Sequence, residues 1–270
     1  MQLICWFRRR DLATIALRAL PLEIPDPGCS VCKEPLGFEF TFAFQPIVDV
    51  RAQTIFAYEA LVRGLNGEGA ASVLAKVNDS NRYRFDQGCR IRSIFLAQQL
   101  GMTSRISINF LPNAVYQPEL CIRTTIAAAE AVKFPLDRII FEVTESEQIM
   151  EPDKLLSIFR YYRDRGFATA IDDFGAGYAG LGLLTDFQPH IVKIDIKLVR
   201  DIDTNVAKQA IVKGILLTCE MLNIQIIAEG IETAAEARWF FDNGIYLMQG
   251  FYFARPGFES LPIISDWSLT

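Results

Sequence analysis

Asp172 and Asp173 stand side by side where an apolar run, FATAI at 167–171, ends and a glycine-rich stretch, FGAGYAGL at 174–181, begins. Adjacent carboxylates repel, most strongly where water is scarce, so an apolar run ending on two of them calls for cations nearby. One carboxylate shared between two divalent ions, with its neighbour holding the second, meets that need. Two such ions about 3.5–4 Å apart clamp the attacking and leaving oxygens of a phosphoryl displacement. Glu59, Asn109, Glu142 and Gln249 also end apolar runs, Glu229 follows one directly, and Lys193 lies inside another. Oxygen donors of this kind suit Mg2+ or Mn2+. The plain alternative is that strand ends are polar because they meet solvent. Solvated ends, however, would mix charges and turn formers rather than gather acids around a single lysine.

The elements that must position these residues are apolar, β-branched or aromatic runs. They fall at 40–48, 54–61, 105–109, 138–143, 167–172, 191–195, 224–228 and 245–249. Most gaps between them are long enough for a helix, and KLLSIFRYYRDRG (154–166) and AKQAIVKGILLTCEML (207–222) carry helical periodicity. Strands alternating with helices in this number predict an α/β fold, a (β/α)8 TIM-type barrel, whose strand C-termini converge on one face where active sites form. One detail modifies it. Only VDVRAQ separates the first two runs, and a parallel crossover needs about a dozen residues. One of these two strands is therefore expected to run antiparallel to the rest. A doubly wound open sheet is the alternative architecture.

The chain has 270 residues, half of them hydrophobic, which is ample for a buried core, and a formal charge of −5 with one histidine. That balance argues against a binder of DNA or RNA duplexes, which shows a basic footprint. No stretch has the ~20 apolar residues of a transmembrane helix. The N-terminus, MQLICWFRRRDLATIALRAL, places apolar residues before its arginines and shows no clear cleavage site, so it does not read as a signal peptide and the expected location is cytoplasmic. It reads as a basic amphipathic helix, solvated or touching a membrane or partner, followed by the proline-rich PLEIPDPG. Residues 1–34 are thus an expected extension and linker, and 35–270 the expected barrel. Cys29 and Cys32 form a lone CxxC, short of the four ligands a structural zinc normally takes. Cys89, Cys121 and Cys219 are expected to be small buried thiols. His190, alone, cannot build a histidine-rich metal centre.

YEALVR (58–63) resembles the signature of the EAL-domain phosphodiesterases, which cleave the bacterial second messenger cyclic di-GMP. FQPIVD (44–49), INFLP (108–112), FEVTES (141–146), IDDFGAGYAGL (171–181), VKID (192–195), AEGIET (228–233) and QGFYFARP (249–256) are similar to that family's other motifs, in order, over about residues 38–257. The resemblance implies a modified barrel with one antiparallel strand and metal-dependent hydrolysis of cyclic di-GMP to linear 5′-pGpG. It implies that Glu59, Asn109, Glu142 and Asp172 hold a first ion, and Asp172, Asp173 and Glu229 a second, both Mg2+ or Mn2+. Lys193 would position the attacking water and Glu229 or its surroundings would help take the proton. Gln45 and Arg63 would contact substrate, Arg63 at a phosphate, with Gln249 at another active-site position. Glu145 would fasten the loop after the fifth strand, near which the family often dimerises, so a homodimer and a regulatory protein partner are implied as well. The family's usual loop reads close to DFGTGYSSL; Ala176, Ala179 and Gly180 stand here in place of hydroxyl residues. Two rival readings remain at this point. One is a catalytically silent cyclic di-GMP receptor or protein-interaction module on the same fold. The other is an enolase-like barrel with carboxylate-held Mg2+ and a lysine base, which does not explain the Asp172–Asp173 pair with Asn109 and would want a capping domain, for which residues 1–34 are too few.

Overall fold

The computed structural model describes residues 36–115, 117–144, 152–177 and 180–269. The first two strands, β1 (Thr41–Asp49) and β2 (Thr54–Arg63), form an antiparallel hairpin. Its turn is tied by Asp49 Oδ1, which accepts from the amides of Arg51 and Ala52 at 3.0 and 2.8 Å. The chain then follows β2 in parallel register through β3 (Arg105–Asn109), β4 (Ile139–Thr144), β5 (Ala168–Phe174), β6 (Ile191–Ile194), β7 (Gln225–Ala228) and β8 (Leu247–Gln249). β8 pairs antiparallel with β1 through Ile47, Val48 and Asp49, which closes the barrel. So the expected reversal is real, and it is β1 that runs against both neighbours. A two-residue strand, β9 (Gly257–Phe258), pairs with β1 at Ala43 and Phe44, where β8 has ended.

Between β2 and β3 lie α1 (Ala70–Leu74) and α2 (Arg82–Gln99). The later crossovers carry α3 (Pro118–Val132), α4 (Pro152–Asp164), α5 (Gly180–Asp186), α6 (Ile196–Val199), α7 (Val206–Met221) and α8 (Ala234–Asp242). The helical periodicity read at 154–166 and 207–222 corresponds to α4 and α7. No helix among the described residues is long and apolar enough to cross a membrane.

Three apolar clusters follow from the two-residue alternation of strands. Outside β1–β4, under α2–α4, the core is dominated by aromatic rings, among them Phe40, Phe42, Phe110, Phe141, Phe159 and Tyr162. Outside β5–β8 it is mostly aliphatic, with Val192, Ile194, Val212, Ile215 and Ile231. The third cluster is the barrel interior: Ile47, Ala57, Ile140, Ala170, Ile191, Ile227 and Leu247, contributed by seven different strands. It is a packed floor rather than a pore, as in other closed eight-stranded barrels.

Candidate active site

Each floor residue has a polar counterpart two positions nearer the mouth, and the period-two geometry of a strand turns both toward the barrel axis. Above Ala57 stands Glu59, above Ile140 Glu142, above Ala170 Asp172, above Ile191 Lys193, above Ile227 Glu229 and above Leu247 Gln249. On the reversed β1 the step runs backwards, from Ile47 to Gln45. Ser107 and Asn109 supply the same pair on β3, where Asn109 is in register with Glu142. The polar ring is thus the next layer of the same alternation that builds the core.

Lys193 occupies its centre and is fully buried. Its Nζ lies 2.6 Å from Glu229 Oε1, 2.9 Å from Glu142 Oε2, 3.2 Å from Asp172 Oδ1 and 3.7 Å from Glu59 Oε2. Burial opposes its charge, but Asp172, Glu142, Glu229 and Glu59 together hold its pKa well above the ordinary lysine value. One ammonium cannot neutralise four carboxylates. The surplus is felt in the pKa values: burial first, then neighbouring carboxylates, push Glu142 and Glu229 well up. Burial also pushes on Asp172, yet Lys193 and hydrogen bonds from Glu229, Lys193 and the Asp173 amide outweigh it and lower its pKa. The two carboxyls are thus driven in opposite directions, Glu229 toward its neutral form and Asp172 toward its charged one.

The remaining polar atoms fix the orientations. Asn109 Nδ2 donates to Glu59 Oε1 at 3.0 Å and Gln249 Nε2 to Glu59 Oε2 at 2.7 Å. Ser107 Oγ donates to Glu142 Oε1. Gln45 Nε2 donates to the Ala254 carbonyl at 3.2 Å, while its Oε1 accepts from Gln249 at 3.3 Å. Gln249 Oε1 is buried with no hydrogen-bond partner, an unmet acceptor in a layer otherwise crowded with acceptors. Asp173 adopts a left-handed conformation, φ 54°, and its amide donates to Asp172 Oδ1 at 2.9 Å. Burial, Asp172 and Asp195 raise the Asp173 pKa to about 6.

The carboxylates fall into two sets whose oxygens lie within 4.8 Å of one another: Glu59, Glu142 and Asp172, and Asp172, Asp173 and Glu229. Asp172 belongs to both. The donor chemistry fits hard divalent cations, and the upward push on the Glu142 and Glu229 pKa values marks where positive charge is in demand. Above the ring opens a cavity of about 280 Å³ whose lining includes Gln45, Glu59, Asp172, Asp173, Glu229 and Gln249.

Most of the residues singled out from sequence are therefore neighbours. Arg63 shares a face of β2 with Glu59 but folds back, Nη1 donating to the Val62 carbonyl at 2.8 Å, and it is outside the cavity lining. Asn109 sits exposed at the rim. His190 is remote from the ring, its Nδ1 accepting from the Thr169 amide at 3.1 Å before β6 begins. Cys89, Cys121 and Cys219 are buried thiols, as expected. Glu145, Cys29, Cys32 and the N-terminal helix expectation lie outside the described residues.

Sequence reading overlooked Asp195 and Glu232, which also line the cavity. Asp195 Oδ1 caps α6 by accepting from the Lys197 amide at 2.8 Å, and its carboxyl faces Asp173. Its signal was its place in VKID, two residues beyond Lys193. Glu232 pairs with Arg200 at 2.8 Å. The loop carrying Glu229 and Glu232 is fixed by a capping box, in which Thr233 Oγ1 accepts from the Glu236 amide while Glu236 Oε2 accepts from the Thr233 amide.

Comparison with known proteins bears on the same residues. The family model described as EAL domain matches residues 36–256. The blue light- and temperature-regulated antirepressor BluF of Escherichia coli is 33% identical over 225 residues, covering 83% of this chain and 56% of its own length. Two further Escherichia coli relatives carry the name cyclic di-GMP phosphodiesterase, one of them as probable. The chain spans only 25% to 56% of the first three curated relatives it matches. Among solved structures, a standalone versatile EAL protein from Vibrio cholerae O395, in its c-di-GMP-bound form, is 55% identical with a TM-score of 0.83, covering 86% of this chain and 98% of its own. Klebsiella pneumoniae BlrP1, in a manganese/cy-diGMP complex, is 38% identical with a TM-score of 0.78, covering 83% of this chain and 57% of its own.

Proposed function

This chain belongs to the EAL-domain family, and on that premise we propose that it hydrolyses cyclic di-GMP to linear 5′-pGpG with two bound divalent ions, Mg2+ or Mn2+. The observation that carries the reading is the pair of carboxylate sets joined at Asp172 and organised around buried Lys193. A receptor that only binds has no need to bury a lysine among four acids, because each such burial is costly unless fully compensated.

In this reading Glu59, Asn109, Glu142 and Asp172 hold one ion, and Asp172, Asp173 and Glu229 the other. When bound, the ions polarise the phosphoryl oxygens and acidify a water. The chain's own groups do the rest. Lys193 is the donor that orients the attacking water, and Glu229, 2.6 Å from the Lys193 ammonium and ionised once cations neutralise the ring, receives that water's proton as general base. Addition of the water to one phosphorus breaks its bond to the ribose 3′ oxygen, which takes up a proton from solvent to become a hydroxyl, and the ring opens. Gln45 and Gln249 contact the substrate at the cavity wall, and Gln249 Oε1 is free to accept from it. Arg63 swings out from Val62 to give a phosphate the paired donors of a guanidinium. Glu145 fastens the loop that follows β5.

The same proposal takes residues 1–34 as an extension and 35–270 as the barrel, in a cytoplasmic homodimer open to a regulatory partner. Ile211, Leu217 and Met221 lie exposed on α7 and are available for such contacts. The alternative is a silent receptor or interaction module, which the antirepressor name of one relative keeps in view. Incubating the purified protein with cyclic di-GMP and Mn2+, with an EDTA control, and resolving the products separates the two. Linear dinucleotide formed only with the metal is the expected result; intact ligand, bound but uncleaved at every metal concentration, selects the alternative.

A further inference from the structure

A second buried ionic group lies behind the acidic ring, in the aromatic core. Arg90 on α2 is fully buried. Its Nη2 lies 2.8 Å from Asp86 Oδ2, one helical turn earlier, and its Nη1 donates to Tyr162 Oη on α4 at 2.6 Å. The guanidinium carbon sits 5.3, 5.0 and 5.5 Å from the ring centres of Phe110, Phe141 and Tyr162. Phe110 directly follows Asn109, and Phe141 directly precedes Glu142. The other oxygen of Asp86 accepts from the Leu111 amide at 2.9 Å, two residues past Asn109. The Phe110 amide in turn donates to the Glu142 carbonyl at 3.0 Å. The Phe110 and Phe141 rings and the Phe110 and Leu111 amides all adjoin the same two site residues, and Tyr162 packs its ring on both Phe110 and Phe141.

Stability alone does not account for the group. Apolar side chains of similar volume replace a buried ion pair at little or no loss, and Arg90 Nε is buried here with no hydrogen-bond partner, a further cost. What an apolar trio would not supply is direction: a fork that fixes α2, α4, β3 and β4 at one point, and an acceptor for the Leu111 amide. We propose that Arg90, with Asp86 and Tyr162, is a positioning group that sets Asn109 and Glu142 for the first ion. The inference rests on the metal-dependent reading above and extends it to residues that touch neither substrate nor metal.

The test is the combined replacement Asp86→Leu, Arg90→Met, Tyr162→Phe, which leaves no orphaned charge. Three measurements are made without substrate: thermal unfolding, Mn2+ binding followed by the electron paramagnetic resonance of the free ion, and amide exchange of the metal-free protein over residues 106–112. The expected result is an unfolding temperature close to that of the parent, the removal of the buried charges offsetting the lost acceptor of the Leu111 amide, Mn2+ bound about ten-fold more weakly, and faster exchange at Phe110 and Leu111. A stable variant with the parent's Mn2+ titration and exchange overturns the proposal. If the parent itself binds no Mn2+, the metal-dependent reading fails, and exchange alone decides the positioning claim: unchanged protection rejects it. Should the triple replacement not fold, Tyr162→Phe removes a single oxygen, the acceptor of one Arg90 hydrogen bond, and is expected to weaken Mn2+ binding about three-fold, less than the triple replacement because Asp86 still holds the guanidinium. Unaltered binding and exchange in that variant also count against it.

Discussion

The two halves of the acidic ring are built differently. Glu59 and Glu142 stand on β2 and β4, in unbroken parallel register with β3, buried, and backed by a dense set of aromatic rings. Asp173 and Glu229 stand on the other side, where the pairing of β5 and β6 shifts register between Ile171 and Phe174. There Asp173 has a left-handed backbone, and Glu229 lies beyond the last residue of β7. One side is placed by packing; the other is placed by turns. Packing fixes geometry whatever the charge state, because van der Waals contacts do not depend on ionisation. Turns bearing like charges depend on what neutralises them. On the proposed two-ion reading, the contrast implies a first set prepared before a cation arrives and a second completed by it.

Lys193 is the element common to both halves, so its loss should be the largest effect and should erase the contrast. Lys193→Met leaves four carboxylates facing one another without their ammonium. Turnover is expected to fall by about a thousand-fold, the scale of removing one donor aimed at the reacting atoms. Substrate affinity should stay within about a few-fold of the parent, because the group acts mainly in the transition state. Single-turnover kinetics beside calorimetric binding check this. A large affinity loss with normal turnover would make Lys193 a substrate anchor.

Next in size is the comparison of one ligand from each half. Glu142→Ala and Asp173→Ala should each lower turnover by about a hundred-fold or more at low Mn2+. Raising Mn2+ should rescue Asp173→Ala substantially and Glu142→Ala hardly at all, since only the first set is shaped in advance. Equal rescue of both would dissolve the distinction between the halves.

A smaller effect is expected from the turn itself. Gly175 has φ 92°, and a Cβ there would lie 2.5 Å from Leu198 Cδ1. The side chain of Leu198 can yield, but the backbone conformation costs a non-glycine residue about 1 kcal/mol. Gly175→Ala should therefore leave the barrel folded, reduce turnover about ten-fold, and shift the Mn2+ titration upward. An unchanged titration would mean that residues 174–177 do not govern the second set.

The legible and illegible parts of this protein divide along the same line. The eight strands, and the reversal at the start of the barrel, could be read because alternation and gap length are local properties of the chain. The acidic ring was readable because its members end the same runs. Lys193 was read as one member of that ring, and its contact with four acids was not, because those contacts span up to 134 positions between Lys193 and Glu59. The Arg90 group was missed for the same reason: its link to Tyr162 crosses 72 positions, and only the helical spacing of Asp86 and Arg90 was locally visible. The fold-back of Arg63 onto Val62 has no sequence signal, since a guanidinium without a phosphate takes any carbonyl in reach.

The smallest effect, and the most direct probe of a site completed by cations, is the pH dependence of stability without metal. In the folded chain Glu142 and Glu229 have pKa values raised above those of free carboxylates, by burial first and by neighbouring acids next, and Asp173 is raised to about 6. A group whose folded pKa is raised contributes stability that is complete below its unfolded pKa and is lost as pH climbs through the folded value. Metal-free protein should thus grow less stable from about pH 5 upward, across the range in which these three acids ionise against one another. Bound Mn2+ takes the place of the protons, so the stabilisation it confers should increase with pH over the same range. At about 2–4 °C per kcal/mol for a chain approaching this size, the difference between EDTA and Mn2+ melting temperatures should widen by several degrees from pH 6 to pH 8. Asp172 does not contribute in this window, because its pKa is lowered and it is already ionised. Repeating the measurement in Asp173→Asn isolates the turn-built half: removing the acid raised to about 6 should flatten the lower part of the curve and leave the upper part, where Glu142 at about 8 loses its proton, in place. A metal-induced gain that is constant with pH, or that shrinks, would mean the ring is neutralised by something other than protons before the ions bind.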